Sequence, residues 1–397
     1  MRDDPDDLAF LDTSAPSFST RSAAVRAARD AHWCARSPYG LVILRHREVG
    51  LLLRDRRLRQ GSHAWPRHND LRGSFADFWI RSVIGQEGEA HKRLRRLANA
   101  ALAPDFVDGL KPDFDAVADA QVKAFSGEPI EFMEEFSIPF AGKAIAVLLG
   151  MGAGNWRQIS HDASDLGLAM GVECKRHEAT VNAACDRLTA LARDLIGRAR
   201  SGRDQTSYIA RLTRLFDEED AVDEQNLIDM IVISIFGGVD TTRSQLGLGM
   251  ALLSAHPDQY QRLRADPALV PATIEEFIRA RPTTTWVTRE AVDGFDFQGQ
   301  RIEAGMTLHL LVHASARDPA VCADPGFDIT AERRTHFGFG GGAHHCLGYH
   351  VARSDMASAL TAIARRVARF DVSEGAAFLP DSGNTSPIRL PLTYELA

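Results

Sequence analysis

Two hydrophobic rhythms run along this chain, and one of them dominates. From about residue 90 onward, apolar residues recur at intervals of three and four. The stretches HKRLRRLANAALA (91–103), TVNAACDRLTALARDLIGRARS (180–201) and HVARSDMASALTAIARRVARF (350–370) are examples. That spacing lines one face of a helix. For the helix that follows Cys346 the stripe is read as Leu347, Val351, Leu360, Ile363, Val367 and Phe370. Another helical run opens near Asp223 and stops before Pro257. At about 1.5 Å per residue it would span roughly 50 Å, the width of a whole domain. Strand-like pieces are fewer: GLVILRH (40–46), FDFQGQRIEAG (295–305), TLHLLVHA (307–314) and IRLPLTYEL (388–396), the second with a glycine at a hairpin turn. The pattern predicts a mainly α protein with a minor β portion. One domain is expected over residues 1–397, with 1–20 as an irregular arm, because no linker, repeat or low-complexity segment interrupts it.

Composition narrows the function classes. The chain has 397 residues, 45% hydrophobic and 25% charged, as in a globular protein. A net charge of −7 without a basic tail gives no footprint for nucleic acid. No run approaches the ~20 apolar residues of a membrane span. The opening MRDDPDDLAF has no apolar core for a secretory signal, so a cytoplasmic location is expected. The five cysteines, Cys34, Cys174, Cys185, Cys322 and Cys346, are odd in number and widely spaced, which argues against a disulfide framework. Four of them read as packing residues, and Cys346 stands apart.

Cys346 lies in FGFGGGAHHCLGYH (337–350), which holds five glycines and three histidines. Each glycine inside a regular element costs roughly 1 kcal/mol relative to alanine, so something there requires backbone freedom. A thiol just before a helix meets the positive end of the helix dipole, which favours the thiolate. A zinc site from His344, His345, Cys346 and His350 is a rival, although no second ligand pair is evident. A tight glycine turn around an inert cysteine is another.

Three further patterns occur in order along the chain. In ISIFGGVDTTRSQLGLGMALLSAHP (233–257), Gly237, Gly238, Val239, Thr241 and Thr242 make a locally poor helix. Such a weak spot suggests a groove or bulge, or else close helix packing at the glycines. In ATIEEFIRARP (272–282), Glu276 and Arg279 are three apart and share a helix face. In EAHKRLRRL (89–97), His91 and Arg95 share another, beside the solvated cations Lys92, Arg93 and Arg96.

Taken together the chain resembles the cytochrome P450 family from about residue 40 to its end. The stretch 339–348 fits F-G-x-G-x-H-x-C-x-G at Phe339, Gly340, Gly342, His344, Cys346 and Gly348. The resemblance implies the single-domain cytochrome P450 fold and haem b, with Cys346 as the thiolate ligand of its iron. It makes Gly237 and Gly238 the haem-side turn of the central helix. Asp240 and Thr241 become the acid–alcohol pair that delivers protons during dioxygen activation. Glu276 and Arg279 would be the buried structural pair. His91, Arg95, Arg289, His336 and His344 would meet the haem propionates.

The activity implied is a monooxygenase that inserts one oxygen atom of dioxygen into a largely apolar small molecule: terpenoid, steroid, fatty or aromatic. Electrons would come from NAD(P)H through a ferredoxin docked on the proximal face, beside His345 and the cations Lys92, Arg93, Arg96, Arg333, Arg334 and Arg353. A monomer is expected. Phe75, Phe78, Trp79, Phe236, Val239, Thr285 and Trp286 would line the substrate pocket, although aromatic residues suit an ordinary core equally well. A peroxide-driven enzyme and a non-catalytic haem sensor are the alternatives. Two departures stand out. Ala331 sits where the family often has an arginine bracing the Glu–Arg pair, leaving Arg333 or Arg334 to reach back. QEGEAH (86–91) replaces the common D-P-P-E-H.

Overall fold

The computed structural model describes residues 8–171, 173–333 and 335–397. The helices that carry the argument are α1 (Ser74–Arg81), α2 (Gly88–Ala101), α3 (Ile138–Leu148), α4 (Trp156–Gly167), α5 (Glu178–Arg200), α6 (Glu224–Ala255), α7 (Val270–Ala280) and α8 (Tyr349–Arg366). A five-stranded sheet lies to one side: β1 (Cys34–Ser37), β2 (Gly40–Ile43), β3 (Leu58–Gln60), β4 (Trp286–Ala291) and β5 (Thr307–Leu311), in the order β1-β2-β5-β4-β3. Only the β2–β5 pairing in that sheet is parallel. Gly40 makes it possible, since a Cβ there would sit 2.3 Å from the Thr307 carbonyl oxygen. The fold is mainly α with a minor β portion, as expected.

Helix α6 is the axis of the molecule. Its 32 residues at about 1.5 Å each run roughly 48 Å. Ile231, Val232, Ile235, Val239 and Leu248 are all fully buried, so neighbouring elements cover most of the helix. Asp223 caps it: the Asp223 carboxylate accepts from the Asn226 N–H at 2.8 Å, while Asn226 Oδ1 accepts from the Asp223 N–H. Such a reciprocal cap contributes about 1 kcal/mol. The buried Asp229 of α6 accepts from Arg81 Nε at 2.8 Å, which fastens α1 across the central helix.

Several boundaries differ from the hydrophobic rhythm. The last long helix ends at Arg366, and Val367–Val372 is a strand paired with Pro391–Leu396. Val367 and Phe370 therefore bury themselves from a sheet rather than from a helical stripe; β-branched and aromatic residues serve either period. β5 stops at Leu311, and VHAS (312–315) winds into one helical turn. Short helices also precede residue 90, among them Ala23–Ala31. Within the expected arm, residues 8–20 contain no helix or paired strand. Leu8, Leu11 and Phe18 are nonetheless buried, and Phe10 bridges to Arg36.

Candidate functional site

The glycine loop closes on itself before α8. The Cys346 N–H donates to the Phe339 carbonyl at 2.8 Å, and the Gly340 N–H donates to Phe337. Gly340 and Gly342 take φ of 70° and 69°, a conformation side chains rarely adopt. A Cβ on Gly342 would also strike the Leu53 carbonyl oxygen at 2.2 Å. The loop presents one thiol, Cys346. Burial pushes that thiol upward from its ordinary range, while the Gly348 N–H and the charges of Arg95 and Arg353 pull it back. The zinc reading fails here: His344 Nε2 lies 3.1 Å from Glu87 and His350 Nε2 lies 3.0 Å from Asp108, so the imidazoles do not converge on the sulfur.

The two glycines of the central helix divide the two readings between them. At Gly238 a Cβ would meet Ile145 Cδ1 at 2.3 Å, so this glycine lets α3 approach α6 closely. At Gly237 a Cβ would meet nothing within 4 Å, and the residue is exposed in the middle of a core helix. No bulge interrupts the helix: it runs unbroken through 237–242. Instead the Thr241 hydroxyl donates to the Gly237 carbonyl at 2.5 Å. Asp240 accepts from Arg243 Nε at 3.1 Å and from Nη2 at 2.5 Å.

A second cluster gathers around α2. His91 is 3% exposed, and its Nε2 has no hydrogen-bond partner among the described residues. Burial, together with the charges of His344 and Arg95, lowers its pKa to about 4, so the ring is neutral near pH 7. Its ring lies tilted against that of His344, with centroids 4.1 Å apart. Arg95 donates to the His345 carbonyl at 2.7 Å. Arg289 is 3% exposed and donates only to neutral oxygens, those of Gln60, Thr288 and Gly341. Burial lowers its pKa to about 10. His336 turns elsewhere: Nδ1 accepts from the Gly338 N–H, and Nε2 lies 3.2 Å from Glu275 Oε2.

Glu276 and Arg279 form the expected buried pair, with Arg279 Nε and Nη2 on the two carboxylate oxygens at 2.5 and 2.7 Å. Arg333 supplies the brace that Ala331 cannot, its Nη2 lying 3.3 Å from Glu276 Oε1. Arg334 lies outside the described residues. Among the aromatic candidates, Phe75 stacks on Trp79, and Trp79 meets Phe236 edge-on at 6.3 Å. Phe78 and Val239 are fully buried in the same core. Trp286 lies apart, packed against Phe18 and His309, and the Thr285 hydroxyl is spent on the Gly383 carbonyl.

Each described cation of the expected basic face meets an acid, though some acids are shared. Lys92 pairs with Glu89, Arg93 and Arg96 with Glu219, and Arg353 with Glu275, while Arg333 is turned inward to Glu276. His345 is half-buried against Tyr349.

The family model for Cytochrome P450 matches residues 172–385. Luteothin monooxygenase of Streptomyces thioluteus is 30% identical over 400 residues, covering 98% of this chain and 97% of the relative. The chain belongs to the cytochrome P450 family. It is a P450 monooxygenase whose cofactor is haem b. The biotin biosynthesis cytochrome P450 of Bacillus subtilis (strain 168) is 26% identical over 79% of this chain and 80% of its own length. The crystal structure of CalO2 superposes with a TM-score of 0.85 at 24% identity, covering 96% of this chain and 99% of that one. P450BioI, solved in complex with an acyl carrier protein bearing hexadec-9Z-enoic acid, superposes at 0.84 with 22% identity, over 96% of this chain and 99% of that one. No helix among the described residues is long and apolar enough to cross a membrane.

The residues on hand fit a haem. Its two carboxylates need cationic or N–H partners once desolvated. The unpartnered His91 Nε2 and the buried Arg289, hydrogen-bonded only to neutral oxygens, are groups of that kind. Gly237 leaves room beside the central helix. Sequence reasoning missed Arg243 beside Asp240 and Glu87 beside His344. The first was readable as a three-residue spacing on a helix face; the second joins positions far apart in the chain and left no local signal.

Proposed function

We propose that this P450 inserts one oxygen atom into a largely apolar small organic substrate, with electrons passed from NAD(P)H through an iron–sulfur ferredoxin. The observation that carries the reading is the pairing of one loop thiol, Cys346, with an intact Asp240–Thr241 pair on the central helix. When bound, a thiolate-ligated haem supplies dioxygen activation and oxygen insertion. The chain supplies the rest. Cys346 provides the thiolate, in the loop formed by Phe339, Gly340 and Gly348. His91, Arg95, Arg289 and His344 hold the propionates. Neutral His91 acts there as an N–H donor and Arg289 as a desolvated charge. His336, with its Nε2 3.2 Å from Glu275 Oε2, stands beside the Glu275–Arg353 pair.

The Thr241 hydroxyl, parked on the Gly237 carbonyl, both accepts and donates and so can relay a proton. Asp240 resupplies it. Trp79, Phe75 and Phe236 form an aromatic wall that suits an apolar guest. The fatty acyl chain carried in the P450BioI complex is of that character. The ferredoxin would dock on the face that carries His345 and Arg353, exchanging the Glu275 pairing of Arg353 for acids of its own. The whole chain works as one domain, in the cytoplasm.

Turnover with a surrogate ferredoxin system tests this. Product with NAD(P)H supports the reading. Product with peroxide alone indicates a peroxide-driven enzyme, and none with any of a broad apolar library indicates a haem sensor. Thr241→Ala should divert most reducing equivalents to peroxide or water; a fully coupled variant contradicts the proton role of Thr241.

A further inference from the structure

The N-terminal arm is fastened to the far end of the chain through one carboxylate. Oδ2 of Asp381 accepts from the Ser19 hydroxyl at 3.1 Å, the Thr20 hydroxyl at 3.1 Å and Arg21 Nε at 2.8 Å. The Thr20 N–H adds a bond to the Asp381 carbonyl at 3.1 Å. Thr20 and Asp381 are both buried, so donors of the arm take the place of water around the acid. Just before them Phe18 lies against Trp286, with ring centroids 5.9 Å apart.

These two anchors flank one ladder. Asp381 lies in the irregular stretch 381–386, whose residues 383–385 run along 283–285. The Thr285 N–H and hydroxyl donate to the Gly383 carbonyl at 2.7 and 2.8 Å. The Thr385 N–H donates to the Thr283 carbonyl at 2.7 Å, and the Thr283 hydroxyl returns to the Thr385 carbonyl at 2.7 Å. One end of this segment meets the central helix. Gln245 Oε1 accepts from the Thr283 N–H, and its Nε2 donates to the Arg281 carbonyl, both at 3.0 Å. Gln245 stands about one turn beyond Thr241 on α6.

The other end runs into β4, whose side chains alternate between faces. Arg289 donates to the Gly341 carbonyl at 3.3 Å, and a Cβ on Gly340 would lie 4.0 Å from Val287 Cγ2. That face meets the cysteine loop. Trp286, on the opposite face, receives Phe18. The arm therefore packs behind a wall that runs from the helix of Thr241 to the loop of Cys346.

We propose that the arm is a strap on the substrate pocket, with Asp381 as its positioning residue. Gripped by Ser19, Thr20 and Arg21, Asp381 sets where 283–287 stands beside the haem, and so how bulky a ligand fits there. The inference rests on the haem pocket of the reading above, yet its test needs no turnover, so the two can fail separately.

Azoles that bind the ferric haem of the holoenzyme through nitrogen read the pocket by size, and the Soret shift follows them. Imidazole is the small probe and clotrimazole, with its triaryl carbon, the bulky one. The variants are Asp381→Ala, the pair Ser19→Ala and Arg21→Ala, and the pair Ser19→Ala and Arg21→Lys. In the first two, the ratio of affinities should move at least fivefold in favour of clotrimazole; lysine should recover at least half of that shift. Hydrogen exchange at the Thr283, Thr285 and Thr385 amides should quicken at least tenfold in the same two variants. A ratio that moves less than fivefold in the Ser19, Arg21 alanine pair overturns the proposal, and a lowered melting temperature beside it makes the arm structural only. Should Asp381→Ala fail to hold haem, that pair decides alone, since it leaves 381–386 untouched. A protein that shows the shift but oxidises nothing keeps the strap and overturns the monooxygenase reading.

Discussion

Arg279 and Arg289 are buried to nearly the same degree, 2% and 3% exposed, and keep opposite company. Arg279 meets both oxygens of Glu276, the carbonyls of Pro325 and Gly326, and shares that carboxylate with Arg333. Asp328 adds its N–H to the same carboxylate at 3.0 Å. Charge and lone pairs are settled within the protein. Arg289 has only neutral oxygens, and no carboxylate pairs with it among the described residues. His91, which shares the neighbour Glu87 with it, keeps an unpartnered Nε2. Glu87 acts on Arg289 only through space, without a hydrogen bond or ion pair. A fold that buries a guanidinium without a direct carboxylate partner is suited to receive an anion from elsewhere. The first cluster is a structural closure and the second is a receptor.

The contrast predicts effects of opposite sign on the protein without its cofactor. Glu276→Gln strands two guanidinium groups and should cost about 3–5 kcal/mol, in apo- and holoprotein alike. Urea midpoints measure it, and a loss below about 1 kcal/mol would remove Glu276 from the load of the fold. Arg289→Leu should leave the apoprotein as stable as before or more so. Haem affinity should fall at least tenfold, since hydrogen bonds to charged groups contribute about 1.5–3 kcal/mol. Equal destabilisation of both forms would make Arg289 structural and erase the contrast.

The smallest effect is a slope. The pKa of His91 is lowered to about 4 in the fold from an ordinary 6.5. Between those values the unfolded chain binds the proton more readily. The stability tied to neutral His91 is therefore complete above pH 6.5 and declines as pH falls toward 4. The neighbouring groups are His344, Arg95 and Glu87, so the experiment compares apoprotein His91→Gln with wild type over that window. The variant should show the shallower decline.

What could be read in advance follows the range of the interaction. Glu276–Arg279 was legible because both partners lie on one helix and their spacing fixes their direction. Arg333 was legible only as a choice between two arginines, because irregular chain gives no periodicity from which to infer where a side chain points. Gly237 and Gly238 read alike in sequence; only the arrival of Ile145 against one of them separates packing from space. Val367 and Phe370 continue a helical count and satisfy a strand equally well, so the turn into sheet at Arg366 left no mark. The acidic partners of the basic face were hidden for a related reason. Arg96 and Arg353 find Glu219 and Glu275, which lie far off in the chain. The cysteine loop carried most because its constraint is local: glycine conformations, one thiol and the helix that follows lie within fourteen positions.

The central claim is that Cys346, alone among the ligand candidates of that loop, holds the haem iron. The ferrous–CO difference spectrum of the purified holoprotein tests it most directly. Wild type should show the red-shifted band of thiolate-bound haem. Cys346→Ser should lose that band, while His345→Ala and His350→Ala keep it. A wild-type spectrum without the red-shifted band, or one unchanged in Cys346→Ser, contradicts the account.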